Sequence, residues 1–341
     1  MISERLQEIA GRYAKLRIAV VGDFCLDRYL EIDPARAEVS IETGLPVYNV
    51  ARVRSQPGAA GTILNNLVAL GVGEILPVGF CGEDGEGYEL LRALGSLPGV
   101  NPGHFFQTPA RRTFTYCKPL VLEPGQPPRE LNRLDSKNWT PTPPEVADRI
   151  AGSLEKLRGI VDAVILMDQV DIEETGVVTK AVLARVASLE KKAAAIPVLA
   201  DSRRGLRGFP SVIFKMNAAE LSSLTGMPAE SSVEEIRRTA VQLATQNGRA
   251  VFVTMAERGL VGALPDGRSE HVPSLALRGT IDVVGAGDSV TANLATALAA
   301  GAELREALSI AALASSIVIH QLGTSGSASV AQMGELLQGI S

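Results

Sequence analysis

A run of small and acidic residues before an apolar helical segment is the most chemically informative part of the sequence. Residues 282–289 read Asp-Val-Val-Gly-Ala-Gly-Asp-Ser, and Val290–Ala300 has the composition of a buried helix. Two glycines one residue apart allow a turn whose backbone N–H groups point into one anion-binding concavity. The helix that follows adds the positive end of its dipole. We therefore predict an anion site built from the amides of Gly285, Ala286 and Gly287.

Asp288 comes directly after these amides. A carboxylate beside a bound phosphoryl group can take a proton from an attacking hydroxyl, so the pattern predicts phosphoryl transfer from a nucleotide to an alcohol. The alternative is structural: Asp288 caps the helix, and Gly285 and Gly287 only shape the turn. Short motifs of this length also occur by accident, so the remaining residues must decide.

Further acidic residues follow apolar runs of strand length. Asp23 and Asp27 come after the first run, where open α/β sheets bind ligands, and we expect both to orient sugar hydroxyls. Asp168 and Asp201 end two later runs, and Arg203 and Arg204 follow Asp201. Arginine forks suit a phosphate group on a substrate. Solvated turn acids and surface ion pairs are the structural alternatives.

Three other segments open or precede predicted helices. The small residues of 57–62 allow a ligand to approach the start of a helix closely. Asn217 and Glu220 have the spacing of a capping box, and they also suit phosphate and the water shell of Mg²⁺. Residues 254–259 follow a strand and could hold a nucleotide phosphate through Thr254 and backbone amides, or form a plain turn at Gly259.

Composition excludes several classes of protein. The chain has 341 residues, 46% hydrophobic and 21% charged, with a net charge of −5 and a pI near 5.5. An acidic chain disfavours general nucleic-acid binding. No signal peptide and no membrane-length apolar run is visible, so we expect a cytoplasmic protein without a membrane partner. The cysteine and histidine spacings indicate neither a disulfide framework nor a metal site.

Strand-like apolar runs alternate with helical periodicity along the chain. This alternation predicts a parallel sheet covered by helices on both faces. The predicted strands are Ile18–Val21, Ile75–Phe80, Ala163–Met167, Val198–Ala200, Val212–Met216 and Ala250–Thr254. The predicted helices are Thr62–Leu70, Gly85–Leu94, Pro144–Leu157, Glu174–Ala195, Val233–Gln246 and Leu304–His320.

Two stretches interrupt this alternation, residues 28–56 and residues 104–135. β-Branched and aromatic residues cluster in both, so we predict that they pair as a small β-sheet lid on a single domain spanning 1–341. The alternative is a pair of long surface loops. An exposed lid sheet invites pairing across a two-fold axis, and we expect a homodimer through the lid. Neither a Rossmann glycine fingerprint nor a P-loop is present.

Together these residues resemble the ribokinase-like, or PfkB, family of carbohydrate kinases. The resemblance runs from Arg17 to Val330, and residues 282–289 match the family's specific C-terminal signature. It implies a three-layer α/β/α sandwich with a mainly parallel central sheet and a small lid. It also implies ATP and Mg²⁺ as cofactors, with Asp288 as the catalytic base and the amides of 285–287 as the anion hole.

The resemblance assigns further roles residue by residue. Nucleotide binding is expected at Asn217, Thr254, Glu257, Gly259, Ser316 and His320, and substrate binding at Asp23, Asp27, Gly58, Ala59, Thr62, Arg133, Asp168 and Arg204. Glu220 is expected to act on Mg²⁺ through water, and Asp282 is the candidate for a monovalent cation such as K⁺.

Within the family, the chain is most similar to bacterial heptose-7-phosphate kinases. Residues 20–29, Pro57-Gly-Ala-Ala, Arg133-Leu-Asp and Leu322-Gly-Thr-Ser carry this similarity. Ala59 and Thr62 replace a glycine and an asparagine of those kinases, and Ser202-Arg203 replaces their Pro-Lys. The substrate is thus expected to be a sugar or sugar phosphate, with heptose 7-phosphate as one candidate. The length is expected to hold no fused nucleotidyltransferase domain.

Two alternatives keep the fold and change the function. A nucleoside or other small-molecule kinase would need aromatic stacking, for which Phe105, Phe106 and Tyr116 are the candidates. A sugar-binding regulator without catalysis is the other, although an intact Asp288 argues against it.

Overall fold

The structure is a computed structural model that describes residues 3–190, 196–323 and 325–340. The predicted helix over 174–195 extends into 191–195, and the motif 322–325 includes Thr324; both of these parts lie outside the described residues.

The strands and helices are numbered in chain order. The strands are β1 Arg17–Gly22, β2 Phe24–Ile32, β3 Glu38–Val39, β4 Pro46–Val47, β5 Val50–Ala59, β6 Glu74–Gly82, β7 Phe105–Thr108, β8 Phe114–Val121, β9 Arg129–Glu130, β10 Leu134–Ser136, β11 Ala163–Asp168, β12 Val198–Ser202, β13 Ile213–Asn217, β14 Val251–Thr254, β15 Leu260–Ala263 and β16 Ser269–Val272. The helices are α1 Ser3–Ala10, α2 Ala60–Leu70, α3 Gly85–Gly95, α4 Pro144–Leu157, α5 Lys180–Glu190, α6 Ala218–Thr225, α7 Val233–Asn247, α8 Ala286–Ala299, α9 Leu304–Val318 and α10 Val330–Ile340.

A large central sheet runs through the molecule. Within the described residues its strand order is β16-β15-β14-β13-β12-β11-β1-β6-β7. Neighbours from β7 to β14 are parallel, whereas β15 and β16 return antiparallel. The mainly parallel sheet predicted from the sequence is therefore confirmed, with an antiparallel edge that the prediction lacked.

Alternating side chains of each strand pack into two cores on opposite faces of this sheet. In β1, Ile18 and Val20 pack with α2, α8 and α9, whereas Ala19 and Val21 pack with α4 to α7. All four β1 side chains are fully buried. A strand covered on both faces needs an unbroken apolar run, which is the pattern that the sequence carries. The result is the three-layer α/β/α arrangement.

The lid is a second sheet formed by β2, β5, β8, β9 and β10, with the short hairpin β3–β4 beside it. Its order is β10-β8-β2-β5, and β9 pairs with β8. Its boundaries differ from the predicted ones: β2 already begins at Phe24, and β7 belongs to the central sheet because it pairs in parallel with β6. The chain passes from one sheet to the other at Asp23, between β1 and β2.

None of the described helices is both long enough and apolar enough to cross a bilayer.

Candidate active site

The predicted anion turn lies at the start of α8. Gly285 caps the helix with a φ of 81°, a left-handed conformation that favours glycine. The Ala286 amide donates to the Val283 carbonyl at 3.2 Å, so this N–H is already used within the turn. In the described part of the chain, the amides of Gly285, Gly287 and Asp288 have no acceptor. Three N–H groups at a helix start are thus free for an anion.

Gly287 is required for a different reason from the one that the sequence suggested. Its φ is not positive, because it already lies in the first turn of α8. A Cβ on Gly287 would stand 3.2 Å from Nζ of Lys215, a buried lysine of β13. The missing side chain therefore keeps space above a buried ammonium group.

Lys215 forms the buried ion pair beneath the turn. Its Nζ donates to Oδ2 of Asp201 at 2.6 Å, and the Thr291 hydroxyl donates to the same oxygen at 2.8 Å. That hydroxyl also lies 3.1 Å from the Gly287 carbonyl oxygen. Lys215 and Asp201 are 6% and 8% exposed, so the pair is shielded from water. Sequence reasoning missed Lys215, although a lysine inside the apolar run 212–216 was a visible signal.

Asp288 faces this ion pair in a half-buried position. Burial raises the pKa of Asp288 to about 7, and the nearby charges of Asp201 and Asp27 contribute to the rise, whereas the Lys215 ammonium opposes it. A carboxyl group that titrates near neutral pH is suited to accept a proton in a reaction.

An open cleft of about 210 Å³ leads to Asp288. Six predicted site residues line this cleft, together with eight further residues. The first group is Asp27, Ala59, Thr62, Arg133, Gly285 and Asp288; the second is Cys25, Tyr116, Lys118, Lys137, Gln169, Arg203, Val284 and Ser325. The starts of α2 and α8 meet here, since a Cβ on Gly285 would stand 3.5 Å from the Thr62 methyl group.

Asp27 and Gly58 lie on paired lid strands at the floor of the cleft. A Cβ on Gly58 would stand 2.5 Å from Oδ2 of Asp27 and 2.8 Å from the Cys25 sulfur, so glycine is needed for this close approach. Burial raises the pKa of Asp27, while Lys118 and Arg133 lower it.

Four cationic side chains line the same cleft: Lys118, Arg133, Lys137 and Arg203. Within the described residues the four cations share three acidic partners, since Lys137 and Arg203 both contact Asp171, at 2.7 and 3.0 Å. Lys118 stands 3.9 Å from Asp27, and Arg133 pairs with Asp135 at 2.6 Å. The cleft can therefore hold a ligand with negative charge beyond that of the anion turn.

Asp23 lies at the junction of the two sheets, and its carboxylate accepts hydrogen bonds from backbone amides. Oδ2 accepts from Gln169 N–H at 2.8 Å and Oδ1 from Val177 N–H at 2.7 Å. Burial, aided by the neighbouring Asp168, raises the pKa of Asp23 to about 7. Asp23 also borders a small cavity of about 20 Å³ beside Tyr116 and Trp139. Its contact with a substrate stays a prediction.

Asp168, which is fully buried, forms a separate cluster with the exposed residue Arg204. Oδ2 of Asp168 accepts from the Ser202 hydroxyl and from the Arg204 guanidinium, both at 2.7 Å. Neither Asp168 nor Arg204 lines the cleft. The neighbouring arginine, Arg203, lines it instead. Oδ1 of Asp168 is buried without a partner within the described residues.

Asn217 and Glu220 form the capping box that their spacing predicts. Oδ1 of Asn217 accepts from Glu220 N–H at 2.9 Å, and Oε2 of Glu220 accepts from Asn217 N–H at 2.7 Å. Burial raises the pKa of Glu220, Asp201 adds to the rise, and Lys215 lowers it. The cap thus sits beside the buried ion pair with one carboxylate oxygen, Oε1, left for a further ligand.

The remaining predicted nucleotide residues lie on two other loops. Gly259 has a φ of 86°, and a Cβ there would meet the Val272 carbonyl oxygen at 2.1 Å; Thr254 and Glu257 flank the same turn. On α9, the Ser316 carbonyl accepts from the Arg278 guanidinium at 3.0 Å. His320 Nε2 accepts from Arg278 N–H at 2.9 Å, so Nδ1 carries the proton that is donated to the Ser316 carbonyl.

Arg278 was not predicted, and it covers this end of α9. Together with His320 it borders an open cavity of about 620 Å³ between α9 and α10. The predicted cation residue Asp282 holds the intervening loop, accepting from Val284 N–H at 3.0 Å and Gly323 N–H at 3.3 Å.

Two of the aromatic residues proposed for base stacking are core residues. Phe105 packs edge-on against Phe24 with ring centroids 5.1 Å apart, and Phe106 contacts Phe80. Both are buried in the central sheet, so they cannot stack on a bound base. Tyr116 remains in the cleft, where Arg133 and Lys137 approach its ring.

Sequence comparison finds similarity to carbohydrate kinases of the pfkB family and to proteins named HldE. A model described as pfkB family carbohydrate kinase matches residues 171–331. The chain is 30% identical over 313 residues to the bifunctional protein HldE of Gluconacetobacter diazotrophicus, covering 92% of this chain and 62% of that protein. For HldE of Azorhizobium caulinodans the identity is 33% over 311 residues, with coverages of 90% and 61%. The chain thus spans about three fifths of the length of these relatives.

Solved structures share the fold at low identity. The Arabidopsis thaliana ribokinase complexed with ribose and ATP matches with a TM-score of 0.68 and 23% identity, covering 95% of this chain and 99% of that chain. Phosphofructokinase-2 from Escherichia coli, in complex with substrates and products, matches with a TM-score of 0.69 and 15% identity over the same shares. The ribokinase-like fold is therefore confirmed.

The strained backbone of Ala59 yields a stability prediction. Ala59 caps α2 with φ 54° and ψ −117°, a conformation favourable only for glycine. We expect Ala59→Gly to raise the free energy of unfolding by about 1 kcal/mol, because the Cβ clash disappears. Ala60→Gly is the matched control: Ala60 is the first helical residue, and the change should lower stability by about 0.5–1 kcal/mol. Urea unfolding measures both, and equal destabilisation by the two variants contradicts the assigned strain.

Proposed function

We propose that this chain, whose residues 171–331 match the model of the pfkB family of carbohydrate kinases, transfers the γ-phosphoryl group of ATP to a hydroxyl of a sugar phosphate. The observation that supports this most strongly is the shared cleft, in which Asp288 and the Gly285 turn face four cationic side chains. One end suits the transferring phosphoryl group, and the other suits a phosphate that the substrate already carries.

The chemistry at Asp288 follows from its surroundings. Its carboxylate accepts the proton of the acceptor hydroxyl while the hydroxyl oxygen attacks the γ-phosphorus. The free amides of Gly285, Gly287 and Asp288 stabilise negative charge on the transferring group. Asp27, buried on the floor of the cleft, orients the sugar hydroxyls. The lid over the cleft limits water, which would otherwise compete as an acceptor.

Mg²⁺ fits the acidic groups at this edge of the sheet. The Oε1 atom of Glu220 is free of the capping box, and one carboxylate suits an ion that keeps most of its waters and binds phosphates. The described residues contain no cluster of three or more acidic, histidine or cysteine side chains that could hold a metal ion. Bound Mg²⁺ would neutralise phosphate charge; Glu220 would orient its water shell, and Asp282 stays the candidate for K⁺.

The nucleotide would extend from the anion turn toward α9. Its phosphates and its sugar would contact Asn217, Thr254, Glu257 and Gly259. Its nucleobase would contact Ser316 and His320. Arg278, which already bonds Ser316 and His320, would border the nucleobase as well.

The cationic lining favours a phosphorylated sugar over a free sugar or a nucleoside. Lys118, Arg133, Lys137 and Arg203 line the cleft, and within the described residues these four cations share three acidic partners, Asp27, Asp135 and Asp171. Heptose 7-phosphate is the candidate that the sequence resemblance supplies. A nucleoside substrate has less support because Phe105 and Phe106 are buried in the core.

The first prediction of the proposed function concerns the catalytic base. Asp288→Asn should lower kcat by about 10²–10⁴, because the acceptor hydroxyl loses its proton acceptor. ATP binding, measured by calorimetry, and the unfolding midpoint should remain close to those of the unaltered protein. A coupled ADP assay with a panel of sugar phosphates measures kcat, and an unchanged value refutes the role of Asp288.

The second prediction concerns the substrate phosphate. Arg203→Gln should raise KM for a sugar phosphate by about tenfold, since one charged contact is worth roughly 1.5–3 kcal/mol and Lys137 remains nearby. KM for ATP should change little. Arg129→Gln is the control, because Arg129 lies on β9 outside the cleft and pairs with Glu123 at 3.9 Å. Equal effects of the two substitutions on KM would contradict a phosphate site at Arg203.

We also propose that two copies of the chain associate through their lids. Apolar side chains are exposed across the lid and its hairpin: Val39, Ile41, Leu45, Tyr48, Val50, Val53 and Leu134 are 43–99% exposed. Ile41 is almost fully exposed at 99%. A monomer rarely leaves so many apolar residues together in water, and a second copy offers a surface of the same kind.

The third prediction tests this association. The unaltered chain should have the mass of a dimer by light scattering at micromolar concentration, and Ile41→Asp combined with Val53→Asp should shift it to a monomer. Ile172→Asp is the control, because Ile172 is 43% exposed outside the lid. A monomeric mass for the unaltered chain would exclude the lid dimer.

A further inference from the structure

Lys215 is a buried cation for which neither the sugar nor the nucleotide supplies a role. It lies within β13, where its neighbours Phe214 and Met216 are core residues. Its carboxylate partner Asp201 is the next-to-last residue of the adjacent strand β12. A buried ion pair is costly to desolvate and seldom stabilises a fold more than apolar residues of the same volume would. Its presence at this position therefore calls for a functional reason.

Its location relative to α8 suggests the reason. The ammonium group lies under Gly287, 3.2 Å from where a side chain at that position would begin. Thr291, one helical turn later, bonds the carboxylate of the same ion pair and approaches the Gly287 carbonyl. The pair is thus attached to the helix turn that carries Asp288.

Charged residues on several neighbouring elements surround Asp288. Asp201 on β12 and Asp27 on β2 are negative, as is Glu220 on α6, which interacts with Lys215 and Asp201. Lys215 on β13 is the buried positive group. The cleft cations are Lys118, Arg133, Lys137 and Arg203. Three of these pair with Asp135 on β10 or with Asp171 in the loop after β11, whereas Lys215 lies directly under the turn.

We propose that Lys215 is a positioning residue for Asp288: its buried ammonium keeps this carboxylate ionised and ready to accept a proton, and Gly287 leaves the space that the ammonium needs. This inference rests on the proposed function, because it assigns the proton acceptor of that reaction. The inference goes beyond the proposed function because Lys215 need not touch either substrate.

The surrounding charges fix the direction in which each substitution should shift the pKa of Asp288. Burial and the two aspartates raise the pKa of Asp288, and Lys215 lowers it. A proton acceptor must be ionised, so kcat/KM should rise with pH through a value of about 7 in the unaltered protein. Removing Lys215 should move this rise to higher pH, and removing the charge of Asp201 should move it to lower pH. A structural role for the ion pair would not produce opposite shifts.

The experiment compares three variants by two measurements. Lys215→Met removes the positive charge, Asp201→Asn removes the negative charge, and Lys215→Arg keeps the positive charge. The pH dependence of kcat/KM gives the kinetic midpoint. A ¹³C NMR titration of aspartate side chains, with the Asp288 signal assigned by its absence in Asp288→Asn, gives the midpoint of the carboxyl group without any turnover.

The expected result is an upward shift of about 1 pH unit or more for Lys215→Met in both measurements. Asp201→Asn should shift both midpoints downward, and Lys215→Arg should restore the midpoint of the unaltered protein at least in part. Where Lys215→Met alone does not fold, the double variant Lys215→Met/Asp201→Asn relieves the unpaired charge, and its midpoint should lie above that of Asp201→Asn.

Two outcomes overturn the inference. Midpoints that do not move, or that move in the same direction for Lys215→Met and Asp201→Asn, exclude a role through the charge of Asp288. The titration also separates this inference from the proposed function. Opposite NMR shifts in a protein that phosphorylates no sugar phosphate would support the coupling of Lys215 to Asp288 and reject the proposed reaction.

Discussion

The ion pair between Lys215 and Asp201 is the interaction on which the candidate site depends. It joins two neighbouring strands of the central sheet to the start of α8 through the hydroxyl of Thr291. Removing one partner of such a buried pair typically costs about 3–5 kcal/mol, because the other charge is left without compensation. The helix turn that presents free amides is thus anchored to the rigid centre of the sheet. A loop alone would hold these amides less firmly.

The architecture explains why residues far apart in sequence meet here. Parallel strands all end at one edge of the sheet, and the starts of α2 and α8 meet at that edge beside the lid. Asp23 sits where the chain leaves the central sheet for the lid, and its two backbone hydrogen bonds join β1 to the loop after β11. Its carboxylate therefore helps to fix the angle at which the lid meets the cleft. Asp27, four residues later on β2, lines the cleft itself.

Much of this arrangement was accessible from the sequence. Apolar runs predicted the parallel strands because a strand buried on both faces cannot alternate, and α4 begins and ends at the predicted residues. The strand β7 was assigned to the lid because its pairing partner, β6, is separated from it in sequence. The antiparallel strands β15 and β16 are short, and nothing in their periodicity distinguishes them from turns. Pairing partners are set by tertiary contacts, which single-sequence patterns do not contain.

Side-chain direction was the part of the site that could not be predicted. Residue type and strand position alone placed Arg204 and Asp168 in the substrate site, yet they bond each other outside the cleft, whereas Arg203 lines it. Lys215 was overlooked because a charge inside an apolar run contradicts the pattern that identifies a buried strand. Such a contradiction is itself informative, since a buried charge needs a partner and the partner here was Asp201.

The central claim is that Asp288 and the amides of Gly285, Gly287 and Asp288 hold the reacting groups together. A crystal structure with Mg²⁺, a non-hydrolysable ATP analogue and a sugar phosphate tests it directly. The account predicts the γ-phosphate against these amides, an acceptor hydroxyl within hydrogen-bond distance of the Asp288 carboxylate, and the substrate phosphate near Arg203. A γ-phosphate bound elsewhere, with Asp288 contacting neither ligand, would contradict it.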